Sequence, residues 1–258
     1  MPITRRALLI ANPGEVGDED YCKGVYVDIK NYQQHLISSE GGAWDGGEIQ
    51  YLNRPSAADV RMWIAEFSRY DYLLVMFTGH CAYSNADRDH VLELRRGERI
   101  TYAQLIQGAK RRTVILDCCQ QVHEESLMEK YARSIMILNA SNASRGRTAN
   151  REACKKLYLE ALERCPISII KMLSCSVGEL STDSDTLGGR YNSSLFDCTS
   201  NWIEGEIAKP YYSPAAIFSV VAAHECAAVA TTKKSAGQQN PTIEKSRTGP
   251  YFPFAVFG

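Results

Sequence analysis

The segment from Asp71 to Phe77 is largely apolar and does not alternate between apolar and polar positions. Strands of this kind are typical of the centre of a parallel sheet, where helices cover both faces. Similar segments run from Thr113 to Leu116 and from Ser134 to Ala140. Because amphipathic segments alternate with these strands, we expect an α/β fold in which a parallel sheet lies between two layers of helices.

The remaining periodic segments extend this pattern along the chain. Further strands are predicted at 6–12, 48–52, 91–94, 99–101 and 252–257, and helices at 24–38, 56–68, 102–108, 150–164 and 213–232. Residues 174–212 are rich in Ser, Thr, Asp and Gly and are interpreted as an insertion or long loop. There is no internal repeat and no clear linker, so residues 1–258 are expected to form a single domain.

The charge balance excludes several kinds of partner. The 258 residues include 29 Lys and Arg and 30 Asp and Glu, which gives a formal net charge of −1. A nearly neutral chain has no general attraction for nucleic acid or anionic lipid, so we expect neither as a partner. No apolar run approaches the ~20 residues that a membrane span requires. The apolar stretch that follows Arg6 is too short for a signal peptide, so a cytoplasmic location is expected.

The chain contains nine cysteines. An odd number in a chain of this length argues against a secreted disulfide framework. No CxxC pair occurs, so a thiolate zinc site has little support. We therefore expect reduced and mostly buried thiols, with the adjacent pair Cys118 and Cys119 as an exception.

Two of the predicted central strands end in reactive side chains. His80 follows the first strand, and Cys118 and Cys119 follow the second. The carboxyl ends of neighbouring parallel strands meet at the same edge of a sheet, where functional groups collect. A Cys beside a His is a nucleophile and its base, because the imidazole favours the thiolate. On strand position alone, a structural Cys or His would be the commoner case.

Motifs along most of the chain resemble those of metacaspases and of the caspase-like proteases of bacteria. The matching segments are GVYVD (24–28), YLLVMFTGH (72–80), TVILDCC (113–119), IMILNAS (135–141), QNP (239–241) and FPF (252–254). The two most specific features are a strand ending in a His and a later strand ending in Asp-x-Cys. The resemblance implies a three-layer caspase-like sandwich around a mostly parallel, six-stranded central sheet.

The resemblance also implies roles for single residues. Cys119 matches the nucleophile and His80 the general base and acid, with no obligatory third carboxylate. The backbone N–H groups of Cys81 and Cys119 would form the oxyanion hole, which stabilises the charge on the attacked carbonyl oxygen. Two positions depart from the family pattern: Cys81 replaces the usual Gly, and Gln120-Gln121 follow the nucleophile.

A specificity pocket follows from the same motifs. A pocket for a basic side chain requires a partly buried carboxylate, since an unpaired buried cation is costly. Asp28 and Asp117 match the acidic residues of the metacaspase S1 pocket, and Thr78 matches a small hydroxyl residue beside them. Animal caspases, which cleave after Asp, carry an Arg where this chain has Cys22. We therefore expect protein or peptide substrates with Arg or Lys at P1.

A protease that cleaves after basic residues is able to process itself. Arg145 and Arg147 lie in a polar loop between predicted elements, where cleavage is tolerated, so both are candidate autocleavage sites. Lys130 and Arg133 are alternatives before the third predicted strand.

A metal site has weaker support. Asp87, Asp89 and His90 cluster in the sequence but fall short of the oxygen-rich cage that calcium requires. We therefore assign no metal and expect no other cofactor.

Two further functions stay open. One is an interaction module that keeps the caspase fold with idle chemistry, which the departures at Cys81 and Gln120-Gln121 motivate. The other is a redox sensor built on Cys118 and Cys119, although adjacent cysteines rarely pair because the ring is strained. Alternation along the strand directs Cys118 into the core, opposite to Cys119. The resemblance further implies an effector in bacterial antiviral defence or cell death that an upstream protein activates.

Overall fold

The structure is a computed structural model that describes residues 3–86, 88–118 and 147–258 of the chain. The predicted strand at 134–140 lies outside these residues. So do Asp87, Cys119, Lys130, Arg133 and Arg145.

One six-stranded sheet dominates the described residues. It consists of β1 (Arg5–Asn12), β2 (Ile49–Asn53), β3 (Tyr72–Gly79), β7 (Arg111–Cys118), β8 (Ile169–Leu173) and β12 (Thr242–Glu244). Smaller sheets are formed by β4 (Cys81–Ser84), β5 (Asp89–Glu93) and β6 (Arg99–Thr101), by β9 (Asp183–Ser184) and β10 (Gly188–Gly189), and by β11 (Ala216–Ser219) and β13 (Pro253–Phe257). The helices are α1 (Gly24–Ile37), α2 (Ala57–Phe67), α3 (Tyr102–Leu105), α4 (Arg151–Arg164), α5 (Arg190–Ile207) and α6 (Val220–Lys234). Among the helices of the described residues, none combines the length and the apolarity that crossing a membrane requires.

The strand order in the main sheet is β12-β8-β7-β3-β1-β2. The strands from β8 to β2 run parallel to their neighbours, and β12 pairs antiparallel with β8 at one edge. β3 and β7 lie side by side near the centre, and every residue of β3 is buried. The prediction of a mostly parallel, six-stranded sheet is confirmed.

The two faces of the sheet carry separate cores. Leu9 of β1 faces a core that includes Tyr32 of α1. The next residue towards the N-terminus, Leu8, faces the opposite core with Val60 of α2. This alternation follows from the two-residue period of a strand. Each fully buried apolar side chain of this kind stabilises the fold by about 1.5–3 kcal/mol. The protein is therefore a three-layer α/β sandwich, as expected.

Residues 174–212 do not form a long loop throughout, so the interpretation as a loop is wrong for Arg190–Ile207. Residues Arg190–Ile207 form α5, which buries Tyr191 and Leu195 against the rest of the protein. The composition is misleading because Ser, Thr and Asn have low helix propensity and favour loops. Here tertiary packing decides, and Thr199 bonds within the helix by donating its hydroxyl to the Leu195 carbonyl at 2.7 Å.

The helix predicted from Ser213 begins later than expected. Residues Ala216–Ser219 form β11, which pairs antiparallel with β13 outside the main sheet. Helix α6 starts at Val220, and the Ser219 side chain caps it by accepting from the backbone N of Ala222 at 3.1 Å. The Ser213-Pro214 pair has the sequence of a helix start, but the later Ser supplies the cap.

Candidate active site

β3 and β7 end side by side at the carboxyl edge of the main sheet. In their parallel register, Gly79 lies opposite Cys118. His80 directly follows β3, and Cys119 directly follows Cys118 in the sequence. The fold therefore brings His80 close to the residue that precedes Cys119, while Cys119 itself lies outside the described residues.

Two glycines lie very close to neighbouring atoms around His80. Gly79 has a φ of 143°, and a Cβ atom there would collide with the carbonyl oxygen of Asn12. A Cβ atom on Gly14 would lie 3.0 Å from Nε2 of the His80 ring. The His80 carbonyl accepts a hydrogen bond from the backbone N of Glu93 at 3.0 Å, which ties it to β5. Side chains at either glycine would displace the imidazole or its strand.

A cavity of about 430 Å³ opens beside the imidazole. Its walls include His80, Cys81, Glu93, Arg99 and Gln104. All three strands of the sheet formed by β4, β5 and β6 therefore contribute to it. A volume of this order is typical of sites that bind ligands. The space next to His80 is large enough for residues of a peptide.

The cysteine after His80 is bonded to the cysteine before Cys119. Cys81 and Cys118 form a disulfide with Cα atoms 5.3 Å apart. A second disulfide joins Cys198 of α5 to Cys226 of α6. The expectation of reduced thiols is wrong for Cys81, Cys198 and Cys226, because pairing depends on Cα spacing that only the fold sets. Cys118, an exception to that expectation together with Cys119, is bonded to Cys81. The free thiols among the described residues belong to Cys22, Cys154, Cys165 and Cys175.

The three residues assigned to the S1 pocket lie together at the same edge. Thr78 pairs with Asp117 across the β3–β7 ladder. The Thr78 hydroxyl donates to Asp28 Oδ2 of α1 at 2.7 Å. Asp28 is 1% exposed and Asp117 is 3% exposed, so both carboxyl groups are withdrawn from water.

The segment after β8 closes around these carboxyl groups. The backbone N of Gly189 donates to Asp28 Oδ1 at 3.1 Å, and that of Asn192 donates to Asp117 Oδ2 at 3.2 Å. The Ser181 hydroxyl donates to Asp117 Oδ1 at 2.9 Å. The sequence alone does not identify these residues, because their segment has the composition of a loop.

Asp183 of β9 adds a third carboxyl group, which the sequence analysis also missed. Burial and the neighbouring Asp117 raise the pKa of Asp183 to about 7. Burial raises the pKa of Asp28 well above its usual value, and repulsion from Asp117 and Asp183 adds to it. Burial likewise raises the pKa of Asp117, although hydrogen bonds from Ser181 and Asn192 act in the other direction. These three residues are referred to below as the acidic cluster.

The acidic cluster lies apart from the ion pairs found among the described residues. The ion pairs found in residues 3–86, 88–118 and 147–258 all involve other carboxyl groups. Glycine backbone approaches the cluster closely instead. A Cβ atom on Gly24, Gly188 or Gly189 would collide with a carboxyl oxygen of Asp183, Asp28 or Asp117, respectively. In the sequence, the Gly188-Gly189 pair is a signal of such close backbone approach.

Arg147, one of the two candidate autocleavage sites in the polar loop, is buried. Its guanidinium pairs with the buried Glu206 carboxylate at 3.3 Å and donates to the Pro214 carbonyl at 3.2 Å. The guanidinium also lies over the ring of Phe257. In this conformation the side chain is not accessible to a protease, and its contacts stabilise the fold.

Asp89, which clusters with His90 in the sequence, accepts hydrogen bonds from backbone N–H groups. Its Oδ2 accepts from the backbone N of Ala103 at 2.8 Å, and its Oδ1 accepts from the backbone N of His90 at 2.8 Å. Burial lowers the pKa of His90. The described residues contain no group of three or more His, Cys, Asp or Glu arranged to hold a metal ion.

Comparisons with known proteins agree with this architecture. A family model for the caspase domain matches residues 4–252. Among solved structures, the crystal structure of caspase-1 from Spodoptera frugiperda is similar, with a TM-score of 0.52 and 11% sequence identity over 94% of this chain and 86% of that chain. No curated protein matches the sequence. The likeness shows that the three-layer sandwich is a caspase-like fold.

Proposed function

Because the chain belongs to the caspase domain family, we propose that it is a cysteine endopeptidase that cleaves protein substrates after Arg or Lys. Membership of the family supports cysteine peptidase activity in general. The preference for a basic P1 residue and the pairing of Cys119 with His80 are the specific parts of the proposal.

The acidic cluster is the observation that carries the P1 preference. Each ionised carboxylate in it loses hydration and repels the others, which is why the pKa values of Asp28, Asp117 and Asp183 are raised. A guanidinium or ammonium group placed among them would form charge-assisted hydrogen bonds and favour the ionised forms. An acidic P1 side chain would add a further negative charge to a buried site. The cluster therefore supports Arg or Lys over Asp.

The proposed reaction runs through a thioester. The Cys119 thiolate attacks the carbonyl carbon of the scissile bond, and the backbone N–H groups of Cys81 and Cys119 stabilise the oxyanion. The His80 imidazolium then donates its proton to the leaving amine as the C–N bond breaks. His80 next removes a proton from a water molecule, which attacks the thioester. The C–S bond then breaks and the carboxylic acid product leaves, so the Cys119 thiolate is restored beside the protonated His80.

Four peptides that differ only in Arg, Lys, Ala or Asp at P1 test this proposal. We expect kcat/KM for the Arg and Lys peptides to exceed the other two by about 100-fold or more, since breaking a buried charge pair costs about 3 kcal/mol or more. Asp117→Asn should reduce this discrimination, and Cys119→Ala should abolish cleavage. Asp45→Asn is a matched control, because Asp45 is exposed and pairs with Lys155. Equal rates for the Arg and Asp peptides, or cleavage by Cys119→Ala at the parent rate, would refute the proposal.

The resemblance to bacterial caspase-like proteases supports further parts of the proposal. An upstream protein would activate the enzyme in antiviral defence or cell death, within the cytoplasm. Autocleavage would then favour Arg145 over Arg147, because the Arg147 guanidinium is held by Glu206. Sequencing the N-termini of self-digested protein tests this choice.

A catalytically idle interaction module is the second candidate. One observation favours it: Asp28 and Asp117 accept hydrogen bonds from the chain's own Gly189 and Asn192 and are almost inaccessible to solvent. A peptidyl arginine chloromethyl ketone separates the two candidates. Covalent labelling of Cys119 supports the peptidase, whereas absence of labelling together with absence of turnover supports the module.

A further inference from the structure

We propose that the disulfide between Cys81 and Cys118 is a positioning crosslink of the peptidase centre, so that reducing this one bond reversibly lowers turnover. The inference rests on the proposed function, because it takes His80 and Cys119 as the catalytic pair. The side chains of Cys81 and Cys118 are positioning groups, since they act by placing the Cys81 backbone N–H, His80 and Cys119.

The bond closes the end of the β3–β7 ladder. Cys118 lies opposite Gly79, and Cys81 is two residues further along the chain. Beyond Gly79 the chain leaves the main sheet, because β4 turns to pair with β5. The disulfide therefore holds the residue after His80 to the residue before Cys119 at the point where hydrogen bonds between the two strands end.

The bond also explains how a cysteine occupies a position that usually holds glycine in related proteases. Its sulfur is bonded to Cys118, which is 4% exposed and belongs to the core on one face of the sheet. The disulfide thus fixes the Cys81 side chain to a buried residue. It thereby holds the Cys81 backbone N–H in position to donate to the oxyanion. Catalysis is sensitive to such placement, because a displacement of about 1 Å lowers a rate by about 100-fold.

A dithiol has a route to this bond. Cys81 lines the cavity of about 430 Å³ beside His80. A thiolate of the dithiol attacks the Cys81 sulfur and displaces Cys118 as a thiolate, which takes up a proton. The second thiol of the reductant then displaces Cys81, which is protonated in turn. The protein gains two electrons and two protons, and the reductant becomes a cyclic disulfide. Hydrogen peroxide restores the bond by oxidising the two thiols and forming two water molecules.

The free thiol of Cys175 does not open the bond by itself. It lines a small cavity together with Cys81 and Cys118, so it lies near the bond. Its sulfur contacts the carbonyl oxygen of Glu179 at 3.6 Å, and burial raises the pKa of the Cys175 thiol to about 11. A thiol that stays protonated at neutral pH is a poor attacking group. Reduction therefore depends on an external dithiol.

The test compares oxidised protein, the same protein treated with dithiothreitol, and the double variant Cys81→Ser/Cys118→Ser. Mass spectrometry first establishes that Cys119 is a free thiol in the oxidised sample. With a P1-Arg peptide, we expect reduction to lower kcat by about tenfold or more while KM changes little, because Asp28 and Thr78 keep their own hydrogen bond. The double variant should have the low kcat and no response to dithiothreitol. Cys198→Ser/Cys226→Ser, which removes the other disulfide, should keep both the parent kcat and the response.

A second measurement does not require turnover. Iodoacetamide alkylation of Cys119 is followed by mass spectrometry between about pH 5 and 9, because a nearby imidazole extends thiolate reactivity to lower pH. Reduction should move this profile to higher pH in the parent and not in the double variant. An unchanged or increased kcat on reduction, or a change confined to KM, overturns the inference. If no form cleaves any peptide, the proposed function fails, and an unchanged alkylation profile then overturns the crosslink as well.

Discussion

The carboxyl group of Asp183 changes its charge near neutral pH, since burial and Asp117 raise its pKa to about 7. A cationic side chain binds the ionised form, so binding should strengthen as pH rises through this value. We expect the inhibition constant of agmatine, which carries the side chain of Arg, to fall about tenfold between about pH 6 and 8. A tenfold change in the inhibition constant is close to the lower end of the range for a hydrogen bond to a charged group, which is about 1.5–3 kcal/mol.

Two variants test the assignment to Asp183. Asp183→Asn should weaken agmatine binding at about pH 8 and remove the dependence on pH. Asp185→Asn is the matched control, because Asp185 lies two residues away, is exposed and pairs with Lys23. A dependence that persists unchanged in Asp183→Asn would contradict the role given to this carboxyl group.

The buried ion pair of Arg147 and Glu206 is expected to stabilise the folded protein. Arg147→Ala leaves the Glu206 carboxylate without its buried partner, so we expect the free energy of unfolding to fall by about 3–5 kcal/mol. Lys209 pairs with the same carboxylate but is half exposed, so Lys209→Ala should cost no more than about 1 kcal/mol. Urea unfolding measures both values. Similar losses in the two variants would show that burial does not set the strength of this pair.

Among the secondary-structure elements, β10 approaches the acidic cluster closely with both of its glycines. A Cβ atom on Gly189 would collide with Asp117, although the backbone at Gly189 is not left-handed. We expect Gly189→Ala to raise KM for a P1-Arg peptide by about tenfold or more by displacing a group that contacts substrate. Gly205→Ala in α5 is the control: a Cβ atom there meets no neighbour, so the variant should be stabilised by about 0.5–1 kcal/mol with unchanged KM. An unchanged KM in Gly189→Ala would show that β10 does not contribute to substrate binding.

The elements also differ in how far the sequence predicts them. β3 and β7 could be predicted because a strand buried on both faces has a continuous apolar run, here at 72–77 and 114–116. The start of α2 could be predicted from Ser56 and Asp59, which form the expected reciprocal hydrogen bonds with the backbone. α5 could not, because its polar residues favour a loop and only packing within the folded protein makes them helical.

The residues of the candidate site also differ in whether the sequence predicts them. Asp28, Thr78 and Asp117 could be found because each belongs to a motif of fixed spacing. Asp183 stands outside any motif, and its place in the cluster depends on how the segment after β8 folds back. The bond between Cys81 and Cys118 could not be inferred, because these cysteines are 37 residues apart and only the sheet brings them together.

For the folded protein as a whole, buried acids and buried histidines have opposite effects on stability. The raised pKa values of Asp28, Asp117 and Asp183 mean that the folded state holds protons that the unfolded state releases, so stability falls as pH rises. Burial lowers the pKa of His35 and of His224 to about 4, which reduces stability below about pH 6.5, where unfolded histidines take up protons.

Comparing the parent with Asp183→Asn isolates this acid, because the histidines contribute equally to both proteins. We expect the melting temperature of the parent, relative to that of Asp183→Asn, to fall between about pH 6.5 and 8. Differential scanning calorimetry measures both melting temperatures. A difference between parent and variant that rises across this range would contradict the raised pKa of Asp183.

The central claim is that the folded chain cleaves proteins after basic residues by means of Cys119. Digesting a bacterial proteome with the purified protein, and identifying the new N-termini by mass spectrometry, tests it without assuming a substrate. We expect the residue before each new N-terminus to be Arg or Lys, and we expect no new N-termini from Cys119→Ala. Cleavage that clusters after Asp or after apolar residues, or that continues in the Cys119→Ala digest, would contradict the account.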